Sequence, residues 1–341
     1  MRKINQFLKT ELNSLPEYSL SPQDTNSIKK VGVAECIFEK ITARKFRRSS
    51  MPPELKQNIR NSIGVKVNKS EPITFAVPIG GYKKRELACA PYVDWSEFFT
   101  LAYMYKFAAP ILAVYAPGVA IEYVSNEIDM EILGNYTREE LKAYTDTFKQ
   151  LLSYFKKSFP VNFKIIYREM REQFAPGEYV ECLEEARPDL DSLLKKWNEL
   201  SKNEQKSKIA KAERNYKFSS DEEKLSDNEK YEILKRITLT HDMYVNPIWL
   251  GFLSKKNYIR NDNKIPISYY HGNWGLHLGS CSASTVQFWV GTGVLEQRGE
   301  RIIPQILSYK QLQAVKDKIH PESVDSLIDM PNFAKIGVVR C

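Results

Sequence analysis

A chain of 341 residues, 43% hydrophobic with 15 Gly and 17 Pro, buries a sizeable core and is neither collagen-like nor low-complexity. Its five cysteines (Cys36, Cys89, Cys182, Cys281 and Cys341) share no CxxC or CxxxC spacing, which argues against a zinc knuckle and for reduced thiols in a cytosolic protein. The formal charge is +8, yet residues 39–69 alone hold nine basic and two acidic side chains, so one face rather than the whole surface attracts anions.

The first residues are basic but no apolar stretch follows them, unlike a secretory signal. The longest uncharged apolar run, Phe107 to Ile121, is broken by Pro110, Pro117 and Gly118 and is too short to span a bilayer, so the protein is expected to be soluble with no membrane partner. Along the chain, Ile28 to Phe46 reads as a helix, and Pro52-Pro53 restarts one through Ile63. Ile73 to Pro78 has the composition of a strand and runs into the Gly80-Gly81 turn. Asp94 with Glu97 three residues on has capping-box spacing, opening a helix from Trp95 to about Ala108. Ile111 to Tyr115 and Val119 to Val124 read as buried strands, or as a helix end followed by a strand. Thr137 with Glu140 opens a long amphipathic helix to about Phe159, and Val161 to Tyr167 is a further strand.

From Glu178 to Lys230 both signs of charge crowd the sequence, which suggests surface helices. Helix returns from Tyr231 to Phe252. Pro266 to His271, Gly275 to Ser280 and Thr285 to Val294 read as antiparallel strands, followed by a helix from Tyr309 to Ile319 and a final strand from Lys335 to Arg340. The expectation is an α/β fold: a mixed sheet with flanking helices, antiparallel strands in the C-terminal third and a charged helical insertion. Its core comprises 1–180 and 231–341, with the insertion at 181–230.

Three stretches can carry chemistry. In the loop 78–86, two glycines permit a tight turn and Lys83, Lys84 and Arg85 follow at once, a pattern that aims cations and backbone N–H groups at a phosphate or carboxylate. It also reads as an exposed turn with solubilising lysines, and it is neither a GxxxxGK[ST] nor a GxGxxG loop. Second, Glu122, Glu127, Asp129 and Glu131 fall at the end of an apolar strand, where α/β proteins collect their sites; paired carboxylates there can exchange protons or grip an amine. Third, His271 and His277 flank Gly-Asn-Trp-Gly-Leu, with Cys281 close behind; no HExxH or HxE…PCxxC pattern occurs. Arg168 and Arg171, after the strand ending at Tyr167, are additional anion-binding candidates. Tyr269, Tyr270, Trp274, Phe288 and Trp289 suit a core more than a cage around a substrate ring.

Several blocks, taken in order, resemble a known family. Ala76-Val-Pro-Ile-Gly-Gly-Tyr-Lys-Lys-Arg precedes Pro91-Tyr-Val-Asp-Trp-Ser-Glu-Phe-Phe, then Tyr115-Ala-Pro-Gly-Val-Ala-Ile-Glu-Tyr-Val-Ser-Asn-Glu, then Ala143-Tyr144 on a leucine-bearing helix. This order is similar to that of the isocyanide (isonitrile) synthases, the family of the pyoverdine and dityrosine biosynthesis proteins; the blocks cover about a third of the chain. The resemblance implies an α/β fold and a reaction without metal or cofactor. In it, an amino acid's nitrogen condenses with the ketone of ribulose 5-phosphate and the sugar is fragmented to leave an isocyanide carbon. Carried over, Lys83 stands at the family's loop lysine, Asp94 and Glu97 at its helix start, and Ser125 at the serine after its strand. Gly80-Gly81-Tyr82 and Ser125-Asn-Glu depart from the family's Pro-Ala-Lys-Ser and Ser-Asp-Gly.

On this basis Lys83, Lys84, Arg85 and Arg168 are expected to bind phosphate, Glu127 or Asp129 to transfer protons with His271 or His277 in support, and Ser125, Tyr115 and Trp274 to line the substrate. The partners would be an amino acid and a sugar phosphate. The competing expectation is a nucleic-acid-binding protein that uses residues 39–69, without catalysis. A third, a protein-binding effector, rests on the charged stretch 183–230.

Overall fold

The computed structural model describes residues 2–13, 19–173, 190–241, 263–269, 275–325 and 327–340. In chain order the helices are α1 (Arg2–Asn13), α2 (Pro22–Ile41), α3 (Pro53–Asn68), α4 (Trp95–Ala108), α5 (Glu127–Leu133), α6 (Arg138–Ser158), α7 (Leu190–Glu199), α8 (Lys202–Asn215), α9 (Asp227–Thr240) and α10 (Tyr309–Val315). The strands are β1 (Ile73–Ile79), β2 (Val119–Ser125), β3 (Phe163–Glu169), β4 (Ile265–Ser268), β5 (Leu276–His277), β6 (Gly291–Arg298), β7 (Arg301–Ser308), β8 (Ile319–Ser323) and β9 (Lys335–Arg340). They form two units: Met1–Val124, Ala143–Arg168 and Asn263–Cys341 make the first, and Ser125–Lys142 with Glu169–Asp262 the second.

The first unit carries a five-stranded sheet in the order β3-β2-β1-β4-β5. β1 and β4 run parallel, Phe75 opposite Ile265, and so do β4 and β5, Ile267 opposite Leu276. The strand starts meet: the Ile73 N–H donates to the Gly118 carbonyl at 3.0 Å and the Val119 N–H to the Asn162 carbonyl at 2.9 Å. Every residue of β2 is buried, as expected of a parallel strand covered on both faces. A second sheet, β7-β6-β9-β8, is mixed: β6 with β7 and β8 with β9 pair antiparallel, and β6 with β9 parallel.

α4 explains how the core closes. Thirteen of its fourteen residues are buried, so it is a central rather than a surface helix. Asp94 caps it as the spacing predicts, with Glu97 completing the box. Its Trp95 packs edge-on against Phe98 at 5.1 Å and Phe333 at 4.9 Å, and Phe98 reaches Phe155 at 5.2 Å, geometries that suit ring quadrupoles.

The expected mixed α/β architecture with flanking helices is what the chain adopts. The antiparallel expectation for the C-terminal third needs correction at two strands: β4 and β5 lie parallel in the first sheet, and the antiparallel pairs are β6–β7 and β8–β9. Pro266 to Ser268 and Leu276 to His277 are short apolar runs whose composition does not distinguish the two pairings. Residues 301–308 form β7, a strand the sequence reading left out, and Ile319 opens β8 rather than ending a helix. The expected helix to Phe252 is seen as α9 to Thr240; residues 242–262 lie outside the described residues.

The second unit shows how a charged sequence still packs. Trp197 and Leu239 form a small centre with Leu193, Leu194, Leu200, Ile209 and Tyr231 against it. Capping boxes at Ser201–Glu204 and Ser226–Glu229 start α8 and α9.

Three of the nine cations of the basic segment are answered by carboxylates. Lys40 pairs with Asp24 at 2.6 Å, Arg60 with Glu35 at 2.8 Å and Lys66 with Glu71 at 2.7 Å, while Arg47 and Arg48 donate to backbone carbonyls. Among the described residues, no helix is long and apolar enough to cross a membrane.

Candidate functional site

In a sheet ordered β3-β2-β1-β4-β5, the chain passes outward from β1 through β2 to β3 and then returns to the other side of β1. Such a reversal opens a crevice at the carboxyl ends of the two strands where it occurs, here β1 and β4, and this is where α/β sheets usually bind ligands. The loop after β1 carries Gly81 at φ +73°, a left-handed turn that suits glycine, and then Lys83, Lys84 and Arg85.

Lys83 turns inward. It is 1% exposed, and its ammonium lies 2.9 Å from Asp94 Oδ1, 2.7 Å from Ser96 Oγ, 2.9 and 2.8 Å from the two Glu97 oxygens and 3.0 Å from the Phe288 carbonyl. The Tyr144 hydroxyl donates to Glu97 Oε1 at 3.3 Å, and the Cys89 thiol to Asp94 Oδ2 at 3.3 Å. The Lys84 N–H donates to the Trp289 carbonyl at 2.8 Å, so the loop is pinned at two successive residues. Its three protons spread over five acceptors, Lys83 faces carboxylates instead of an incoming phosphate. A phosphate at this ammonium would have to displace Asp94 and Glu97.

Protonation in this network is uneven. Burial would lower Lys83, but Asp94 and Glu97 outweigh it and hold the ammonium above its ordinary value. Burial opposes ionisation of Asp94, yet Lys83 and Ser96 hold it below the usual carboxylate range. Burial, aided by the Asp94 charge, pushes Glu97 up to about 7. Lys83 carries one positive charge against two carboxylates, so a proton on Glu97 neutralises the cluster.

The sign of the stability effect follows. A carboxyl raised from 4.5 to about 7 stabilises the folded chain fully below pH 4.5 and loses that contribution as pH rises through 7. Between about pH 5 and 8, Glu97 is expected to cost the wild-type chain on the order of 3 kcal/mol. In Glu97→Gln that component disappears. Urea unfolding at the two pH values tests this; equal pH dependence in both proteins would refute it.

The other sequence-derived residues are distributed as follows. Lys84 and Arg85 stay half-buried on the loop, Lys84 3.4 Å from Glu86. Arg168, on β3, pairs with Glu122, whose other oxygen lies 2.9 Å from Lys264. Tyr115 donates to the Lys66 and Glu71 carbonyls at 3.0 and 2.9 Å, at the amino ends of the strands and so at the opposite edge from the crevice. His277 Nδ1 lies 3.1 Å from Ser49 Oγ, and its carbonyl accepts the Arg48 N–H at 2.9 Å.

Glu127, 4% exposed, accepts the Ser125 hydroxyl and the N–H groups of Met170 at 3.1 Å and Arg171 at 2.8 Å. Burial raises its carboxyl above the ordinary value. It therefore ties the end of β2 to the turn after β3. Asp129 belongs to α5, but its side chain, like all of His271 and Trp274, lies outside the described residues. Among the described residues, no group of three or more His, Cys, Asp or Glu is placed to hold a metal ion.

Sequence reasoning placed Tyr269 in the core, where it is, but did not single out Tyr123 or the unpaired state of either hydroxyl. Tyr123 on β2 and Tyr269 after β4 are buried, at 0% and 4% exposure, and among the described residues neither hydroxyl has a hydrogen-bond partner. An unpaired buried hydroxyl costs about 1–3 kcal/mol. The rings are linked by aromatic contacts, Tyr123 to Phe148 at 5.6 Å, Phe148 to Phe288 at 6.2 Å and Phe288 to Tyr269 at 5.9 Å. Sequence gives no sign of this, because a tyrosine in an apolar run looks the same whether its hydroxyl is paired or not.

No family model matches the chain, and no curated protein sequence matches it. Among solved structures it is similar to the crystal structure of the PvcA protein from Pseudomonas aeruginosa, with a TM-score of 0.63 and 14% identity over 90% of this chain and 99% of that one. The likeness is one of fold, and it extends over nearly the whole of both chains.

Proposed function

We propose that this protein is an enzyme of the isocyanide-synthase type, joining an amino acid or related amine to a phosphorylated pentulose such as ribulose 5-phosphate. The observation that carries this reading is the contact of Lys83 with Asp94 and Glu97 beside the strand ends. These residues come from two separate sequence blocks that resemble the family, and the fold shared with PvcA is in keeping with it. In the condensation the amine nitrogen attacks the ketone carbon, and the ketone oxygen leaves as water after accepting protons. Lys84 and Arg85 supply positive charge that draws in anionic substrates, and Lys83 positions their loop. Proton transfer is assigned to Glu127 or Asp129, with His271 or His277 as the supporting acid or base.

A nucleic-acid reading is weaker, because Asp24, Glu35 and Glu71 answer three of the nine cations in residues 39–69. The test is incubation with a panel of amino acids and carbon-labelled ribulose 5-phosphate, read by mass spectrometry. The expected product keeps the amino-acid nitrogen and one sugar carbon, and the Lys84→Ala/Arg85→Ala double variant forms it at least about tenfold more slowly, the rate equivalent of roughly 1.4 kcal/mol. No product with any amino acid, together with thermal stabilisation by a short RNA, would overturn the proposal in favour of the nucleic-acid reading.

A further inference from the structure

The aromatic series continues outward to a third tyrosine. Tyr103, on α4 and 8% exposed, sits against Phe46 with ring centroids 6.2 Å apart. Its hydroxyl is within electrostatic reach of Arg48 and Cys281, that of Tyr269 within reach of Tyr103, and that of Tyr123 within reach of Tyr269. Nη2 of the exposed Arg48 guanidinium donates to the carbonyls of both Cys281 and Ser282, at 2.9 and 2.8 Å. Gly279 lets it lie there: a Cβ at that position would come 2.6 Å from Arg48 Nη2 and 2.6 Å from the Ser284 carbonyl. The neighbouring Ser280 adds another buried hydroxyl with no partner among the described residues. Tyr269 directly follows β4, and Ser280, Cys281 and Ser282 follow β5 in a Gly-Ser-rich stretch.

A guanidinium whose Nη2 is spent on carbonyls keeps its Nε–H and Nη1–H donors and its charge for a phosphate oxygen. Inward of it the polar groups are neutral hydroxyls in an aromatic wall, able to donate to and accept from hydroxyl and carbonyl oxygens but unsuited to a second charge. We propose that Arg48, Tyr103, Tyr269 and Tyr123 form a binding track for a small polyhydroxylated phosphomonoester, with the phosphate on Arg48 and the sugar oxygens on the phenols. The choice of a pentose phosphate as ligand rests on the function proposed above; the track itself rests on the unpaired hydroxyls. It leaves Lys84 and Arg85 for the anionic group of the second substrate. Because the Tyr123 and Tyr269 hydroxyls are sealed from solvent, the ligand enters by moving the rings apart, and it pairs groups that the free chain leaves unpaired.

This makes a prediction of two opposite signs. In titration calorimetry of the full chain, ribose 5-phosphate should bind more tightly than inorganic phosphate, and Arg48→Gln should weaken both about tenfold. Tyr269→Phe and Tyr123→Phe should weaken ribose 5-phosphate about five- to tenfold and leave inorganic phosphate unchanged. Each should also raise the melting temperature of the free protein by roughly 1–3 °C, since it removes an unpaired buried group. Unchanged affinities in all three variants, or Tyr→Phe variants that melt lower and bind as wild type, would overturn the track. Affinities that fall as expected in a protein that forms no product with any amine would leave the track standing and sink the proposed reaction. Product formed with unaltered affinity in all the variants would do the reverse.

Discussion

Replacing Lys83 with Met is expected to cost about 3–5 kcal/mol, because it strands two buried carboxylates that share a single cation. Asp94 and Glu97 are 4% and 0% exposed, and neither has water to fall back on. The Phe288 carbonyl loses its ammonium donor in the same change. Denaturant unfolding at pH 8, where wild-type Glu97 is largely ionised beside Lys83, gives the full effect; at pH 5, where Glu97 is protonated in both proteins, the loss is smaller. The triple variant Lys83→Met/Asp94→Asn/Glu97→Gln should recover most of the loss, since Asn and Gln keep the helix cap without the charges. A loss under about 1 kcal/mol in the single variant would mean that the network contributes nothing beyond a surface pair.

Gly293→Ala is the second large effect. A Cβ there would lie 2.3 Å from the Ser96 nitrogen and 2.3 Å from the Trp95 carbonyl carbon, and backbone cannot swing aside as a side chain does. β6 would have to move off the start of α4, loosening the Ser96 and Phe288 groups that hold Lys83. The expected loss is about 3–5 kcal/mol, in the range of severe overpacking. Gly64→Ala is the contrasting substitution: nothing lies within 4 Å of its Cβ in the interior of α3, so it should stabilise by about 0.5–1 kcal/mol. Equal and small changes at both positions, read from unfolding midpoints, would show that the close approach at Gly293 is not what holds the two elements together.

What the sequence makes legible is local. The Asp94–Glu97 spacing marks the start of α4, a hydrogen-bonding pattern complete within four residues, and the alternating run from Lys335 to Arg340 marks β9. Partnership across the chain is not local. Lys83 reads as a surface cation beside Lys84 and Arg85, and only the fold, by bringing Phe288 from 205 residues away, reveals that it is interior. Glu127 looks like a free carboxylate at a strand end until the Met170 and Arg171 N–H groups, which advertise nothing in sequence, are seen to hold it. The same limit hides Tyr123 and Tyr269, whose interest lies in partners they lack. The parallel pairing of β4 escapes for a simpler reason: a four-residue apolar strand carries no mark of direction.

The strand order has a consequence for biosynthesis. β1 needs β4 to cover one edge, and roughly 190 residues separate the end of one from the start of the other. At about 5–20 residues per second of translation, that edge waits about 10–40 s on the ribosome with its backbone groups unpaired. Pairing so distant in sequence also makes for slow closure. The nascent chain thus spends its longest vulnerable interval with a hydrophobic strand, Ile-Thr-Phe-Ala-Val-Pro-Ile, available to a chaperone or to a neighbouring copy. Pro78 near the strand's end offers the waiting edge a partial safeguard, for it has no N–H with which to extend a foreign ladder.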